Sequence, residues 1–219
     1  MRRSIATVLL LVGAQVLFVP AVARAADLDQ PTCEAFTGAW WDEPTSTCFV
    51  PGDSLTGPHL TVPAGVTLRV RDEPPQVATL DALTIDVDGV LRIETALTLM
   101  QPITNRGTVD VASYGHLTFL DTGVANHGVI GGDVGADTVV RGSIFRNYGT
   151  ISRRVEVWDS TVVHNYGTAN LDVLVLDATW INHCGSSYSV AAVIDEDGTV
   201  STLDCSIVTI IDPAPTSGE

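Results

Sequence analysis

The chain has 219 residues, among them 11 arginines, 26 acidic residues and no lysine, and its formal net charge is −15. Residues 1–25 have the features of a secretory signal, and the rest of the chain keeps 8 arginines against all 26 acids, a net charge of −18. A surface this acidic repels nucleic acid and anionic membranes, because their binding depends on cationic side chains. Nucleic acid is therefore not predicted as a partner.

The predicted signal begins with Arg2 and Arg3, continues with an apolar run over residues 5–19, and ends with the small-x-small cleavage site Ala23-Arg24-Ala25. The apolar run is about fifteen residues long, shorter than the ~20 residues that a transmembrane helix needs. We therefore expect a mature protein that is secreted or held in the cell envelope, with no membrane insertion after removal of the signal.

Residues 26–55 are predicted to form a small N-terminal cap closed by a disulfide. Four cysteines in an exported chain imply two disulfides, and Cys33 and Cys48 enclose a short loop that contains Phe36, Trp40 and Trp41. Repeat proteins must cover their terminal strand edges, and this aromatic loop suits that purpose. A sugar-binding aromatic surface is the alternative interpretation of the same residues.

Residues 56–211 carry a repeat that predicts a β-solenoid. Strand-like runs open it at residues 60–70 and 83–93. An Asn, any residue and usually Gly then recur at intervals of 21, 21, 18 and 17 residues, a near-constant period that is typical of stacked coils. The Asn residues of this repeat are Asn105, Asn126, Asn147, Asn165 and Asn182. Residues 212–219, which include two prolines, are expected to be a flexible tail.

Alternating apolar residues around each Asn indicate strands with one buried face, and no helix is expected after the signal. The positions two before and four after the Asn are apolar until the last coil. The first set is Ile103, Val124, Phe145, Val163 and Trp180, and the second is Val109, Ile130, Ile151, Ala169 and Ser186. We therefore predict an all-β fold, a single-stranded right-handed parallel β-helix of about 7–8 coils, because parallel strands are generally joined by right-handed connections.

The repeat Asn residues are predicted to be structural. Asn tolerates left-handed backbone angles and Gly adopts them without steric cost, so both suit a turn. Stacked Asn side chains can also hydrogen-bond from coil to coil, as amide ladders do in cross-β stacks.

The same period predicts the second disulfide. Cys184 and Cys205 are 21 residues apart, one coil, and residues one coil apart stack at ~4.8 Å, which is within the reach of a disulfide. The predicted pairs are therefore Cys33–Cys48 and Cys184–Cys205.

Residues 103–109 and 145–151 (Ile-Thr-Asn-Arg-Gly-Thr-Val and Phe-Arg-Asn-Tyr-Gly-Thr-Ile) resemble the Asn-x-Gly-Thr-Ile coils of secreted bacterial β-helix proteins, which include adhesins and autotransporter passenger domains. Residues 62–68 (Val-Pro-Ala-Gly-Val-Thr-Leu) resemble the opening coil of related cell-surface proteins. The resemblance covers roughly residues 60–200, and it implies a β-helix in an envelope or extracellular setting.

The residue after each repeat Asn is a candidate ligand-binding position. If the Asn side chain points inward, the next side chain points to solvent, and five of them at ~4.8 Å form a stripe roughly 19 Å long. These residues are Arg106, His127, Tyr148, Tyr166 and His183. Planar side chains suit sugar rings, so this turn stripe predicts binding of a polysaccharide or another cell-surface polymer. The alternative is that the rings stack on one another and stiffen the turn.

One sequence position, shortly before each repeat turn, is often occupied by an acidic residue. It contains Gln101, Asp121, Arg141, Asp159 and Asp177. In this register Arg141 lies between Asp121 and Asp159 as a salt-bridge ladder. Asp159 and Asp177 are then adjacent carboxylates, which suit a cation or a glycosidase pair; a solvated turn is the alternative.

The remaining motifs do not favour catalysis. The signature residues of pectin-degrading hydrolases are missing, and the sequence holds no zinc spacing, EF-hand or nucleotide loop. We predict no cofactor, no metal and no catalytic residue. The favoured function is a secreted structural or adhesive β-solenoid, and the alternative is a polysaccharide-active lyase or glycoside hydrolase of β-helix type.

Overall fold

The computed structural model describes residues 26–55, 57, 59–71, 77–80, 83–134, 137–169, 173–188, 193–194 and 199–202. The predicted signal peptide and the predicted tail lie outside these residues. Within them the chain is a parallel β-solenoid with one α-helix, which confirms the predicted all-β fold. No helix in the described part of the chain is long and apolar enough to cross a membrane.

Three sheets run along the solenoid. Sheet A contains Ala26–Asp27, His59–Val62, Thr84–Val87, Ile103–Asn105, Gly123–Asn126, Ile144–Asn147, Val162–Asn165, Thr179–Asn182 and Thr199–Thr202. Sheet B contains Trp40–Asp42, Thr47–Val50, Thr67–Val70, Val90–Ile93, Thr108–Val111, Val129–Gly132, Thr150–Ile151, Thr168–Ala169 and Ser187–Tyr188. Sheet C contains Val77–Leu80, Ala96–Leu99, His116–Leu120, Asp137–Arg141, Val155–Trp158, Val173–Val175 and Val193–Ile194.

Neighbouring strands in these sheets are parallel, with one antiparallel pair where Trp40–Asp42 meets Thr47–Val50. Short 3₁₀ helices at Glu43–Thr45 and Gly52–Ser54 flank the second strand of that pair. From His59 onward the chain passes through sheets A, B and C in turn and then repeats, so each coil adds one strand to each sheet. Residues one coil apart in sequence are therefore neighbours in space.

Apolar columns fill the interior, because inward and outward positions alternate along each strand. The first predicted set of apolar residues, two positions before each repeat Asn, lies in sheet A. All of its side chains are buried, and they stack in register from one coil to the next. Its bulkiest members, Phe145 and Trp180, are each 1 % exposed. Each coil thus contributes an apolar side chain to one continuous core.

The second predicted set, four positions after each repeat Asn, lies in sheet B and follows the prediction until its last coil. Its first four members are buried and in register. The next partner of Ala169, however, is Tyr188 and not the predicted Ser186. The reason is the length of the last turn. The sheet B strand resumes at Ser187, the fifth residue after Asn182, whereas in the earlier coils it resumes at the third residue after the repeat Asn, so the last turn is two residues longer. Gly185 in this longer turn has φ +84°.

The chain enters the solenoid through a short helix, α1 (Gln30–Glu34), so the expectation of no helix after the signal is wrong. Asp29 caps the helix by accepting a hydrogen bond from the Thr32 N–H at 2.8 Å. Pro31 lies in the first turn, where its missing N–H leaves no intrahelical bond unmade. An N-cap residue followed by proline is a sequence signal for a helix start, but five residues are too few to show a helical period.

The predicted Cys33–Cys48 disulfide is present and ties α1 to the Thr47–Val50 strand. Phe36 and Trp41 pack against the core, as a cap requires. Trp40 points outward instead; it is 44 % exposed and stacks on Phe49 with a centroid distance of 3.9 Å.

For the second predicted pair, Cys184 is disulfide-bonded, but Cys205 lies outside the described residues. The Cys184–Cys205 pairing therefore stays a prediction. Peptide mapping under non-reducing conditions tests it, and a peptide that joins either residue to Cys33 or Cys48 would contradict the assumed register.

Replacing both Cys33 and Cys48 by Ala should lower the free energy of unfolding by about 3 kcal/mol. The bridge spans 15 residues, and a loop of that length removes about this much chain entropy from the unfolded state. Urea unfolding of the double variant and the wild type measures the difference. An unchanged midpoint would show that cap packing alone holds this end of the solenoid.

The repeat Asn residues form a buried amide ladder. Each Nδ2 donates to the Oδ1 of the next Asn at 2.7–2.9 Å, and all five side chains are 0 % exposed. Because the ladder has a direction, it has two open ends. Within the described residues, the Asn105 Oδ1 and the Asn182 Nδ2 are buried without a hydrogen-bond partner.

The backbone of the repeat turn differs from the predicted left-handed turn. None of the five Asn residues has a positive φ, and Gly107, Gly128, Gly149 and Gly167 do not either. These glycines are needed for close approach instead. A Cβ on any of them would lie well under 3.0 Å from the carbonyl oxygen of the glycine one coil earlier. The turns therefore stack directly on one another, and this stacking positions the side chains that they expose.

Candidate functional site

The turn stripe lies on the outside of the solenoid, one residue beyond the Asn ladder. In the second, third and fourth repeats the stripe residue and the glycine after it both donate their N–H groups to the Asn carbonyl one coil earlier, at 2.7–3.0 Å, and in the last repeat His183 donates to the Asn165 carbonyl at 2.8 Å. Arg106 and His127 are exposed, Tyr148 is 45 % and Tyr166 39 % exposed, and His183 is half-buried. The ladder beneath fixes the backbone, so the stripe is carried on a rigid support.

Four of the five stripe side chains form a continuous ring stack. His127 and Tyr148 lie 4.7 Å apart between centroids and 8° from parallel, Tyr148 and Tyr166 lie 4.9 Å and 7° apart, and Tyr166 and His183 lie 3.8 Å and 17° apart. Arg106 instead pairs with Asp88 at 3.3 Å. Outward orientation and mutual stacking, which the sequence offered as alternatives, therefore occur together.

This stacking changes what the stripe can bind. Tyr148 and Tyr166 have a ring on each face, so neither face is open for a sugar ring to pack against. Their exposed parts are ring edges, which carry phenolic hydroxyls, and the histidines add ring nitrogens; both groups donate and accept hydrogen bonds. The stripe is therefore a row of hydrogen-bonding groups at about the coil spacing of ~4.8 Å, and not a row of open aromatic platforms.

His164 lies beside the stripe, and no repeat column of the sequence points to it. It occupies an outward position of sheet A, with Arg146 and Ile181 next to it in the register. The alternation signal was available, because Val163 and Asn165 on either side point inward. His164 was missed because it precedes a repeat Asn, whereas every stripe residue follows one.

His164 and His183 contact each other through their ring nitrogens. His164 Nδ1 lies 3.1 Å from His183 Nε2, and both rings are half-buried. Partial burial, and then the charge of His164, lower the pKa of His183. Both effects favour the neutral form of His183 over the protonated form.

The predicted carboxylate column is in a different register from the one expected. Arg141 stacks between Leu120 and Trp158, and its guanidinium lies 4.9 Å from the Trp158 ring centroid. Arg141 Nε still lies 3.9 Å from Asp159. The backbone explains the difference, because this turn needs a left-handed residue. The residues with φ between +47° and +57° are Asp121, Gly142, Asp159 and Asp177, so Gly142 takes the place predicted for Arg141.

Asp159 and Asp177 lie in successive turns, since the Ser160 N–H donates to the Asp177 carbonyl at 2.7 Å. Both side chains are exposed on an open surface. Within the described residues, no three His, Cys, Asp or Glu side chains are grouped so that they could hold a metal ion. The left-handed backbone gives these aspartates a structural role in the turn, because Asp tolerates that conformation better than most residues.

A second polar surface lies on the outside of sheet B, beside a groove of about 400 Å³. Arg69 and Arg92 both bond Glu94, at 2.7 and 3.0 Å, and Arg92 also pairs with Asp110 and Asp133. Glu94 loses solvation here, which alone would raise its pKa, but the two guanidinium groups outweigh this and hold its pKa below the usual value. The charges compensate one another, so this groove is a poorer ligand candidate than the stripe.

Comparison of the chain with known proteins finds no matching family model, no matching curated sequence and no matching solved structure.

Proposed function

We propose that the protein is a secreted, non-catalytic β-solenoid that binds a polyhydroxyl polymer, a glycan of a cell surface or matrix, along the turn stripe. The observation that carries this proposal is the exposed row of ring edges from His127 to His183. A linear polymer with hydroxyl groups along its length can bond several of these edges at once, and each added contact strengthens the same complex.

Two further features support the proposal. The signal-like residues 1–25 and the Cys33–Cys48 disulfide favour export, since disulfides persist in oxidising compartments. The acidic surface keeps an exported protein soluble and disfavours binding to nucleic acid. The same charge opposes anionic polymers, so a neutral or weakly charged glycan is favoured over an acidic one.

Replacing Tyr148 and Tyr166 together by Phe should weaken glycan binding while leaving the fold intact. The change removes two phenolic hydroxyls and keeps both rings in the stack. Two lost hydrogen bonds correspond to about 1–3 kcal/mol, or a roughly 5- to 150-fold higher Kd. A glycan array identifies the ligand, and titration calorimetry compares the variants.

The matched control is Tyr114→Phe, because Tyr114 is 84 % exposed and lies off the stripe. It should bind as the wild type does, and the melting temperature of both variants should be within about 2 °C of the wild type. Equal binding by the double variant and the wild type would show that the glycan does not contact these hydroxyls, and a complete lack of glycan binding by the wild type would reject the proposal.

A further inference from the structure

We propose that His164 and His183 form a binding site for a divalent transition-metal ion of the kind that prefers imidazole ligands, with Cu²⁺ bound most tightly. The two rings come from neighbouring coils, and the site opens to solvent beside the turn stripe. The proposal does not rest on polymer binding by the stripe, and the metal alone is its ligand.

The distance between the two nitrogens fits shared coordination. His164 Nδ1 and His183 Nε2 lie 3.1 Å apart. If each is ~2.0–2.1 Å from one ion, the two bonds meet at the ion at about 95–102°. This angle falls between the ~90° of a square-planar Cu²⁺ site and the ~109° of a tetrahedral Zn²⁺ site. The ring centroids now lie 5.3 Å apart, close to the longest separation that a 3.1 Å nitrogen contact allows, so the two rings point at each other and each must tilt toward a shared ion.

Coordination replaces the hydrogen bond that now joins the rings. In that bond one nitrogen carries the proton and the other accepts it. An ion needs both lone pairs, so the proton moves to the far nitrogen of the same ring, which leaves both imidazoles neutral. The protein supplies two ligands, and water completes the coordination shell.

The surroundings hold the site in place and set its charge. Tyr166 stacks on His183 at 3.8 Å and restricts the plane of its ring. Arg146 and Ile181 flank His164 on the sheet, and the Arg146 charge opposes a cation. The net charge of −18 outside the signal acts over a longer range and raises the local concentration of cations. Cu²⁺ heads the affinity order for nitrogen sites, so it is the probe of choice.

The test is a Cu²⁺ titration of the mature chain without an added polyhistidine tag, by calorimetry and electron paramagnetic resonance. We expect His164→Ala and His183→Ala each to lose one equivalent of bound Cu²⁺ or to bind it at least 10-fold more weakly. The control is His127→Ala, because His127 belongs to the stripe but has no second imidazole nitrogen at bonding distance among the described residues. It should bind Cu²⁺ as the wild type does.

His164→Gln and His183→Gln serve as second variants, since they keep a polar side chain and should keep the wild-type melting temperature. Unchanged Cu²⁺ binding in the His164 and His183 variants would overturn the proposal. An equal loss in His127→Ala would also overturn it, because binding would then belong to the stripe as a whole. The Tyr148→Phe, Tyr166→Phe double variant should keep its Cu²⁺, so failure of the metal site and failure of polymer binding are distinguishable.

Discussion

Asn147→Ala should lower the free energy of unfolding by about 2–4 kcal/mol. Asn147 is 0 % exposed, accepts from Asn126 at 2.7 Å, and donates to the Asn165 side chain at 2.8 Å and the Thr168 carbonyl at 3.2 Å. Its loss leaves buried groups on both neighbouring coils without this partner, and an unsatisfied buried group costs ~1–3 kcal/mol. Thermal unfolding followed by circular dichroism should show a melting temperature lower by about 5–15 °C.

The position of an Asn in the ladder should decide how much its loss costs. Asn105 stands at the open end, where its Oδ1 already has no partner among the described residues, so Asn105→Ala removes one amide–amide bond, the 3.0 Å bond to the Val129 carbonyl and one buried unsatisfied oxygen. We expect it to destabilise clearly less than Asn147→Ala. Tyr148→Ala, next in the chain to Asn147, should cost about 1 kcal/mol or less, since it removes exposed ring stacking. Equal losses at Asn105 and Asn147 would show that cavity formation, and not the ladder, sets the cost.

The features that recur identically in every coil could be predicted from the sequence. The inward columns that contain Phe145 and Trp180 follow from alternation, and the Asn ladder follows from a period that returns the same side chain to the same place. The outward direction of Tyr148 and Tyr166 follows from the inward Asn before each of them. These predictions depend on the pleat and on stacking, which act alike in every coil.

Features that depend on the length of one particular turn could not be predicted. Arg141 was assigned one position from its true column, because this turn follows the previous one after 21 residues, which places Gly142 and not Arg141 at the left-handed position after Asp121. The shift from Ser186 to Tyr188 has the same cause in the last turn. His164 comes directly before one repeat Asn, and His183 comes directly after the next one. The two histidines therefore occupy different positions of the repeat, and comparing equivalent positions does not bring them together.

In the first four repeats the glycine was predicted for the wrong physical reason, since only Gly185 of the last repeat has a left-handed φ, and the correct reason has a larger consequence. A left-handed turn would tolerate Asn in place of Gly, whereas a close backbone approach tolerates no Cβ of any kind. At Gly149 the added carbon would meet the Gly128 carbonyl oxygen, and the same oxygen accepts the Thr150 N–H at 2.8 Å. The oxygen cannot move away without breaking the bond that joins the two coils.

Gly149→Ala should therefore destabilise the protein by about 2–4 kcal/mol, since overpacking that shifts backbone typically costs 1–3 kcal/mol and a coil-to-coil hydrogen bond is weakened as well. The matched control is Gly123→Ala in the strand Gly123–Asn126, where φ is not positive and a Cβ meets nothing within 4 Å. Replacing that glycine should leave the stability unchanged or raise it by up to about 1 kcal/mol, because Ala restricts the unfolded chain. Urea unfolding of both variants gives the two free energies. If Gly149→Ala were as stable as Gly123→Ala, the coils would be able to move apart at the turn, and direct stacking of the turns would not be what holds the stripe in place.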